Sequence, residues 1–95
     1  VLLQHTPADI DAAELEREIV ALPGVQSIHD LHLWSLDGER NISTLHAVVE
    51  ISTTCEDKIR IKTEIRRICA RNGIEHATIE LETPGEDCGL THCSH

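Results

Sequence analysis

Aromatic residues are nearly absent from this chain. Trp34 is the only residue of the Phe, Trp and Tyr class among 95 residues, and methionine is missing as well. The core must therefore be built from isoleucine, leucine, valine and alanine. A chain of this length forms one domain with a thin core and without a large enclosed active-site cavity. A partner subunit or a bound metal would stabilise such a domain further.

Basic residues are also scarce. The chain has 8 Lys and Arg residues against 17 Asp and Glu residues, a formal net charge of −9. Such a surface repels phosphate backbones and anionic head groups, which argues against nucleic acid as a partner. A negative potential attracts cations, and His, Cys and carboxylate side chains are the usual ligands of divalent metals. The alternative at this point is that the acidity serves only solubility.

Long hydrophobic runs are missing too. No apolar stretch approaches the roughly 20 residues that cross a bilayer, and no signal peptide opens the chain, so it is expected to be soluble as given. It starts at "VLLQHTP" without methionine, which predicts a piece cut from a longer protein. Cys55 and Cys69 lie in or beside a helical pattern, while Cys88 and Cys93 lie in a polar tail. This distribution favours free thiols in a reducing compartment over two disulfides.

The hydrophobic pattern predicts two helices and three strands, after a short strand in "VLLQ". In order they are a helix within 9–24, strands at 25–36 and 42–51 joined by a turn, a helix within 53–73 and a strand at 74–82. In the second strand Leu45, Ala47, Val49 and Ile51 fall on one side, which makes that side the buried one. The order predicts an α+β sandwich with a mostly antiparallel sheet and both helices on one face.

The uncovered face of this sheet is the predicted location of metal-binding side chains. Alternation places His46, Glu80 and Glu82 there, although each of them could simply be a solvated residue. His29 shares its strand parity with buried leucines, so either it lies at the start of the strand or a β-bulge turns it outward.

For His32 and Trp34 the favoured interpretation is structural. An imidazole hydrogen-bonded under the indole would pack one end of the sheet, in preference to binding metal.

The C-terminal tail is rich in side chains that can bind metal. Four metal-binding side chains fall within eight residues of the tail: Cys88, His92, Cys93 and His95. A disordered tail is the alternative, because the two cysteines are more widely spaced than in zinc knuckles.

The chain has no phosphate-binding glycine loop and no nucleophile elbow, so we predict that it is not an enzyme.

Three stretches together resemble a known family: "PGVQSIHDLHLWSL", "LHAVVEI" and "GIEHATIELE". They are similar to the C-terminal cytoplasmic domain of cation diffusion facilitator transporters, the ZnT/CzcD-like zinc–proton antiporters. The similarity covers nearly the whole chain, and its most specific parts are the H-D-L-H-x-W motif and the later H-x-T-I-x-x-E motif.

The resemblance implies a ferredoxin-like, metallochaperone-like domain over residues 1–83 and a metal-binding tail over 84–95. The domain would form a homodimer below its own transmembrane domain at the cytoplasmic face of a membrane. It would bind zinc, with cobalt and cadmium as alternatives, and regulate cation export. The ligands carried over by motif are His29, His46, His76 and Glu82. Glu80 stands where relatives often have Gln or His and is a further candidate, and Cys88 and Cys93 resemble a C-terminal cysteine pair of the zinc-transporting branch.

Two other functions remain open at the level of sequence. The first is a free-standing soluble metal chaperone, and the second is a small metallohydrolase with a water-bearing zinc. If the domain is regulatory, metal bound at an acidic dimer interface should tighten the dimer, because each divalent cation cancels two charges.

Overall fold

The computed structural model describes residues 4–5, 10–36 and 40–84. Its elements follow in the order β1 (Gln4–His5), α1 (Ala12–Val20), β2 (Val25–Leu36), β3 (Arg40–Val49), α2 (Cys55–Arg71) and β4 (His76–Glu82). The two helices and the three long strands were all predicted, and β1 shares Gln4 with the predicted short strand. Neither helix of the described part is long and apolar enough to span a bilayer.

Asp11 and Thr54 cap the N-termini of the two helices. The Asp11 carboxylate accepts hydrogen bonds from the backbone amides of Ala13 and Glu14, and the Thr54 hydroxyl accepts one from Asp57. These bonds satisfy amides that the first turn of a helix leaves without a partner. After α1 the chain turns at Gly24, whose φ of 94° is in the left-handed region that favours glycine.

The sheet is mixed, with strand order β1-β2-β3-β4. The β1–β2 and β2–β3 pairs are antiparallel, and β3–β4 is parallel, so the predicted α+β class and the mostly antiparallel pairing are confirmed. Both helices pack on one face, because their apolar side chains join those of β2, β3 and β4 in one buried cluster. Its members are Leu15, Ile19, Val25, Leu45, Ala47, Val49, Ile61, Ile65, Ile68, Cys69, Ile74, Ile79 and Leu81.

The other face of the sheet carries the side chains of β3 that alternate with the buried ones, together with their neighbours on β2 and β4. On β3 these residues are Ile42, Thr44, His46 and Val48, all of them half-buried. We call this surface the open face. It carries the candidate site.

Ile51 corrects one prediction. The alternation placed it on the buried side with Val49, but β3 ends at Val49 and Ile51 is 80% exposed. The amide of Glu50 still bonds to the carbonyl of Gly24 beside β2, and the chain then leaves the sheet in a turn that the amide of Thr53 closes onto the carbonyl of Glu50. An apolar alternation that runs past the last ladder bond therefore overestimates the strand.

Candidate metal centre

A β-bulge turns His29 to the open face. The register of β2 against β3 shifts between Val25 and Ser27 and again between His29 and His32, and between these shifts His29 lies opposite His46. Asp30, at the second shift, has a φ of 54°, in the left-handed region that bulges use. Of the two placements that the sequence left open for His29, the bulge is the one observed.

Glu82 connects the two histidines. It is the last residue of β4, and only 8% of its side chain is exposed. One carboxylate oxygen lies 2.5 Å from His29 Nε2, and the other lies 3.2 Å from His46 Nδ1. The two imidazole rings have their centroids 5.1 Å apart. Three elements that are distant in sequence therefore meet at one point.

The three side chains form a suitable donor set for a divalent metal. One potential ligand atom from each of them lies within 4.8 Å of the others, and no second such group is found in the described part of the chain. Two imidazole nitrogens and a carboxylate are ligands that zinc and similar cations accept. The cluster is reached from solvent, since 42% of the His29 side chain is exposed, so an ion can enter without opening the fold.

The electrostatics of the cluster favour a positive charge beside Glu82. A buried carboxylate needs a compensating partner, and in the metal-free protein the rings of His29 and His46 lie against it. The hydrogen bond with Glu82 raises the pKa of His29 above its ordinary value, Asp30 adds to the effect, and burial opposes it. A divalent cation would take the place of the titrating proton of His29, because a ligating histidine must be neutral.

The other predicted ligands are not brought into this cluster. Glu80 is half-buried and lies opposite His46 on the open face, but it is not part of the group. His76 is exposed at the start of β4, which puts it roughly 20 Å along the strand from Glu82. Cys88 and Cys93 lie outside the described residues, and so does nearly all of the predicted tail. Ligation by these four residues stays a prediction.

His32 and Trp34 differ from the packed pair that the sequence favoured. Both face the open side of the sheet, where His32 lies opposite Thr44 and Trp34 opposite Ile42. His32 is exposed and Trp34 half-buried, so the imidazole does not lie buried beneath the indole.

Asp30 is the residue of the site that sequence reasoning missed. Its carboxylate lies 3.2 Å from His29 Nδ1, on the other ring nitrogen from the one that faces Glu82. The available signal was an aspartate inside a strand otherwise rich in apolar residues. Aspartate is disfavoured in strands but tolerates the left-handed conformation that a bulge requires.

Comparison with known proteins places this geometry in context. The family model described as the cytoplasmic domain of cation efflux proteins matches residues 7–84. A cadmium, cobalt and zinc/H(+)-K(+) antiporter of Bacillus subtilis is 37% identical over 83 residues, which cover 87% of this chain and 27% of that protein. The metal cation efflux system protein CzcD of Cupriavidus metallidurans is 39% identical over 83 residues, covering 86% of this chain and 26% of that protein. The chain thus spans about a quarter of the length of these relatives.

Solved structures agree with these matches. The metal-bound C-terminal domain of the CzcD transporter from Cupriavidus metallidurans superposes with a TM-score of 0.68 at 36% identity, covering 77% of this chain and 99% of that one. The MamM variant V260R superposes with a TM-score of 0.66 at 18% identity, and the match covers 76% of this chain and 90% of that one. At this identity the likeness bears on the fold alone.

Proposed function

Because the chain belongs to the cytoplasmic domains of cation efflux proteins, we propose that it is the regulatory, zinc-binding domain of a membrane cation/proton antiporter that exports zinc from the cytoplasm. The names of the bacterial relatives include cadmium, cobalt and zinc, so cobalt and cadmium are the alternative ions. One relative has been solved with metal bound to the corresponding domain.

The observation that carries the proposal is the convergence of His29, His46 and Glu82 on the open face. In the metal-bound state His29 would contribute Nε2, His46 Nδ1 and Glu82 a carboxylate oxygen, since these atoms already face one another. Three protein ligands leave one position of a tetrahedral ion for another group. In a binding domain that position can be filled by water, by a residue of the tail or by a partner subunit.

Dimerisation is the second part of the proposal. The open face is covered by neither helix, and it presents the half-buried apolar side chains of Trp34, Ile42 and Val48. A second copy of the chain could cover them, and metal at the edge of that contact would reduce the repulsion between two subunits of charge −9. In the full-length protein the state of the dimer would then reach the transmembrane domain.

Isothermal titration of the metal-free protein with zinc tests the binding site. We expect His46→Ala to weaken binding strongly, since it removes one of three ligands. His32→Ala is the matched control, because it removes an exposed histidine of the same face that lies outside the cluster. Equal affinities for the parent protein and His46→Ala would overturn the proposed site.

The tail is proposed as a contributor to the same function. Cys88 and Cys93 are soft donors that zinc accepts, and β4 leads into the tail directly after Glu82. A Cys88→Ser, Cys93→Ser double variant should lower either the zinc stoichiometry or the zinc affinity in the same titration. An unchanged isotherm would remove the tail from the binding site and leave the three-residue cluster as it stands.

A further inference from the structure

Asp30 occupies an unusual position beside the proposed metal site. Its backbone has a φ of 54°, and it is the only residue other than glycine with a positive φ in the described part of the chain. Its carboxylate Oδ2 lies 3.2 Å from His29 Nδ1. The His29 ring is thus held between two carboxylates, with Glu82 on Nε2 and Asp30 on Nδ1.

The two nitrogens of a neutral imidazole have different roles. One carries the proton and donates, and the other has the lone pair that can bind an ion. A carboxylate that accepts a hydrogen bond from Nδ1–H fixes the tautomer and the ring orientation, so that Nε2 is directed at the metal. Asp30 is placed to do this, because its oxygen reaches Nδ1 while Nε2 faces the cluster.

We propose that Asp30 is a positioning residue of the metal site, which acts through His29 by accepting a hydrogen bond from Nδ1–H and so holding Nε2 toward the ion. This inference rests on the proposed function, since it assumes that His29 binds metal. It adds a residue that does not touch the ion and that was absent from every predicted ligand set.

Two contributions of Asp30 can be separated by substitution. The backbone of Asp30 builds the bulge, and glycine adopts the same left-handed conformation without strain. Asp30→Gly therefore keeps the bulge and removes the carboxylate. Asp30→Asn keeps an acceptor oxygen and is also tolerated at positive φ. Gln26→Gly is the matched control, because Gln26 is exposed at the other register shift of β2 and makes no contact with the cluster.

Zinc titration of these variants gives the first readout. We expect Asp30→Gly to bind zinc about tenfold more weakly than the parent protein, the lower end of what the loss of a histidine's carboxylate partner costs a metal site. Asp30→Asn should recover most of this affinity, and Gln26→Gly should bind as the parent does. A purely structural role in the bulge would leave Asp30→Gly at the parent affinity.

The second readout is the state of the His29 ring in the zinc-loaded protein. Long-range proton–nitrogen correlation spectra should show Nε2 bound to zinc and a slowly exchanging proton on Nδ1 in the parent and in Asp30→Asn. In Asp30→Gly that proton should exchange faster.

Parent-like affinity of Asp30→Gly, or equal losses in Asp30→Gly and Asp30→Asn, would overturn the positioning role. Failure of the proposed function is distinct from this, because it appears as a parent protein that does not bind zinc at all.

Discussion

At the scale of single residues, the site depends on one buried carboxylate. Alternation placed Glu82 correctly on the open face, but it is more buried than a solubilising strand residue, because His29 and His46 both contact it. That burial could not be predicted from β4 alone, since the covering side chains come from β2 and β3. The same holds for the pKa of His29, which Glu82 raises from another strand.

The raised pKa of His29 predicts how the stability of the metal-free protein depends on pH. A histidine whose pKa is higher in the folded state contributes stability that is fully present below its unfolded pKa, about 6.5, and is lost as pH rises through the folded value. The free energy of unfolding is measured by urea denaturation in the presence of a chelator. The value for the parent should therefore fall relative to that for His29→Gln as pH rises from about 6.5 through the raised pKa of His29. A constant difference between the two proteins would contradict the assigned contact. Zinc affinity should increase over the same window, because the histidine must lose its proton to bind.

Ser43 supports a second prediction about a single residue. Its side chain is fully buried on the core side of β3, and its hydroxyl is the only buried side-chain polar atom of the described residues without a hydrogen-bond partner. Ser43→Ala removes a hydroxyl that loses water on folding without gaining a bond. We expect it to raise the free energy of unfolding by about 1 kcal/mol. Thr78→Ala, at an exposed position of β4, is the control. A lower stability of Ser43→Ala would show that the hydroxyl has a stabilising partner.

At the scale of secondary structure, the sequence predicts the positions of the helices and strands better than the register between neighbouring strands. The helical spacing of apolar residues predicts both helices, and alternation predicts β3 and β4. The register of β2 was not predictable, because a bulge depends on the backbone angles of a single residue. Beyond the bulge, side chains that would have faced the core face the other side of the sheet, and the reverse. The placement of His29 was therefore left open, and the placement of Ile51 was wrong because the strand ends where a turn begins.

Substitutions at the two glycines with left-handed backbone conformations test the connections between the helices and the sheet. Gly24 has a φ of 94° and Gly73 a φ of 82°. Alanine at either position should cost about 1–2 kcal/mol through backbone strain. A Cβ at Gly24 would also lie 3.2 Å from Ile61 Cδ1 in the core, whereas at Gly73 its nearest neighbour is Asn41 Nδ2 at 3.8 Å. Thermal unfolding should therefore show Gly24→Ala to be less stable than Gly73→Ala. Equal stabilities would mean that Ile61 moves aside easily, and a less stable Gly73→Ala would contradict the prediction.

At the scale of the whole molecule, the net negative charge and the open face both favour the binding of a cation. The chain carries a net charge of −9, and the proposed metal site lies on the face that no helix covers. The sequence predicted this arrangement because alternation shows which residues leave the core. It could not predict which histidines converge, since His76 and His46 have equally suitable patterns and only the register separates them.

Self-association should respond to metal. We expect sedimentation velocity at neutral pH to show a tighter dimer with zinc than with chelator, because bound cations reduce the repulsion between two acidic faces. A His29→Ala, His46→Ala double variant should show no such response, and His32→Ala should behave as the parent does. A dimer that is equally tight in all conditions would indicate a constitutive dimerisation domain instead of a metal-controlled one.

The central claim is that His29, His46 and Glu82 hold one divalent ion, and anomalous diffraction from crystals of the zinc-loaded protein at the zinc absorption edge tests it most directly. The account predicts an anomalous peak at about 2.0–2.2 Å from a nitrogen of each histidine and from an oxygen of Glu82, with Asp30 still bonded to the other nitrogen of His29. A well-occupied zinc peak elsewhere, with His29 and Glu82 still bonded to each other as in the metal-free protein, would contradict it.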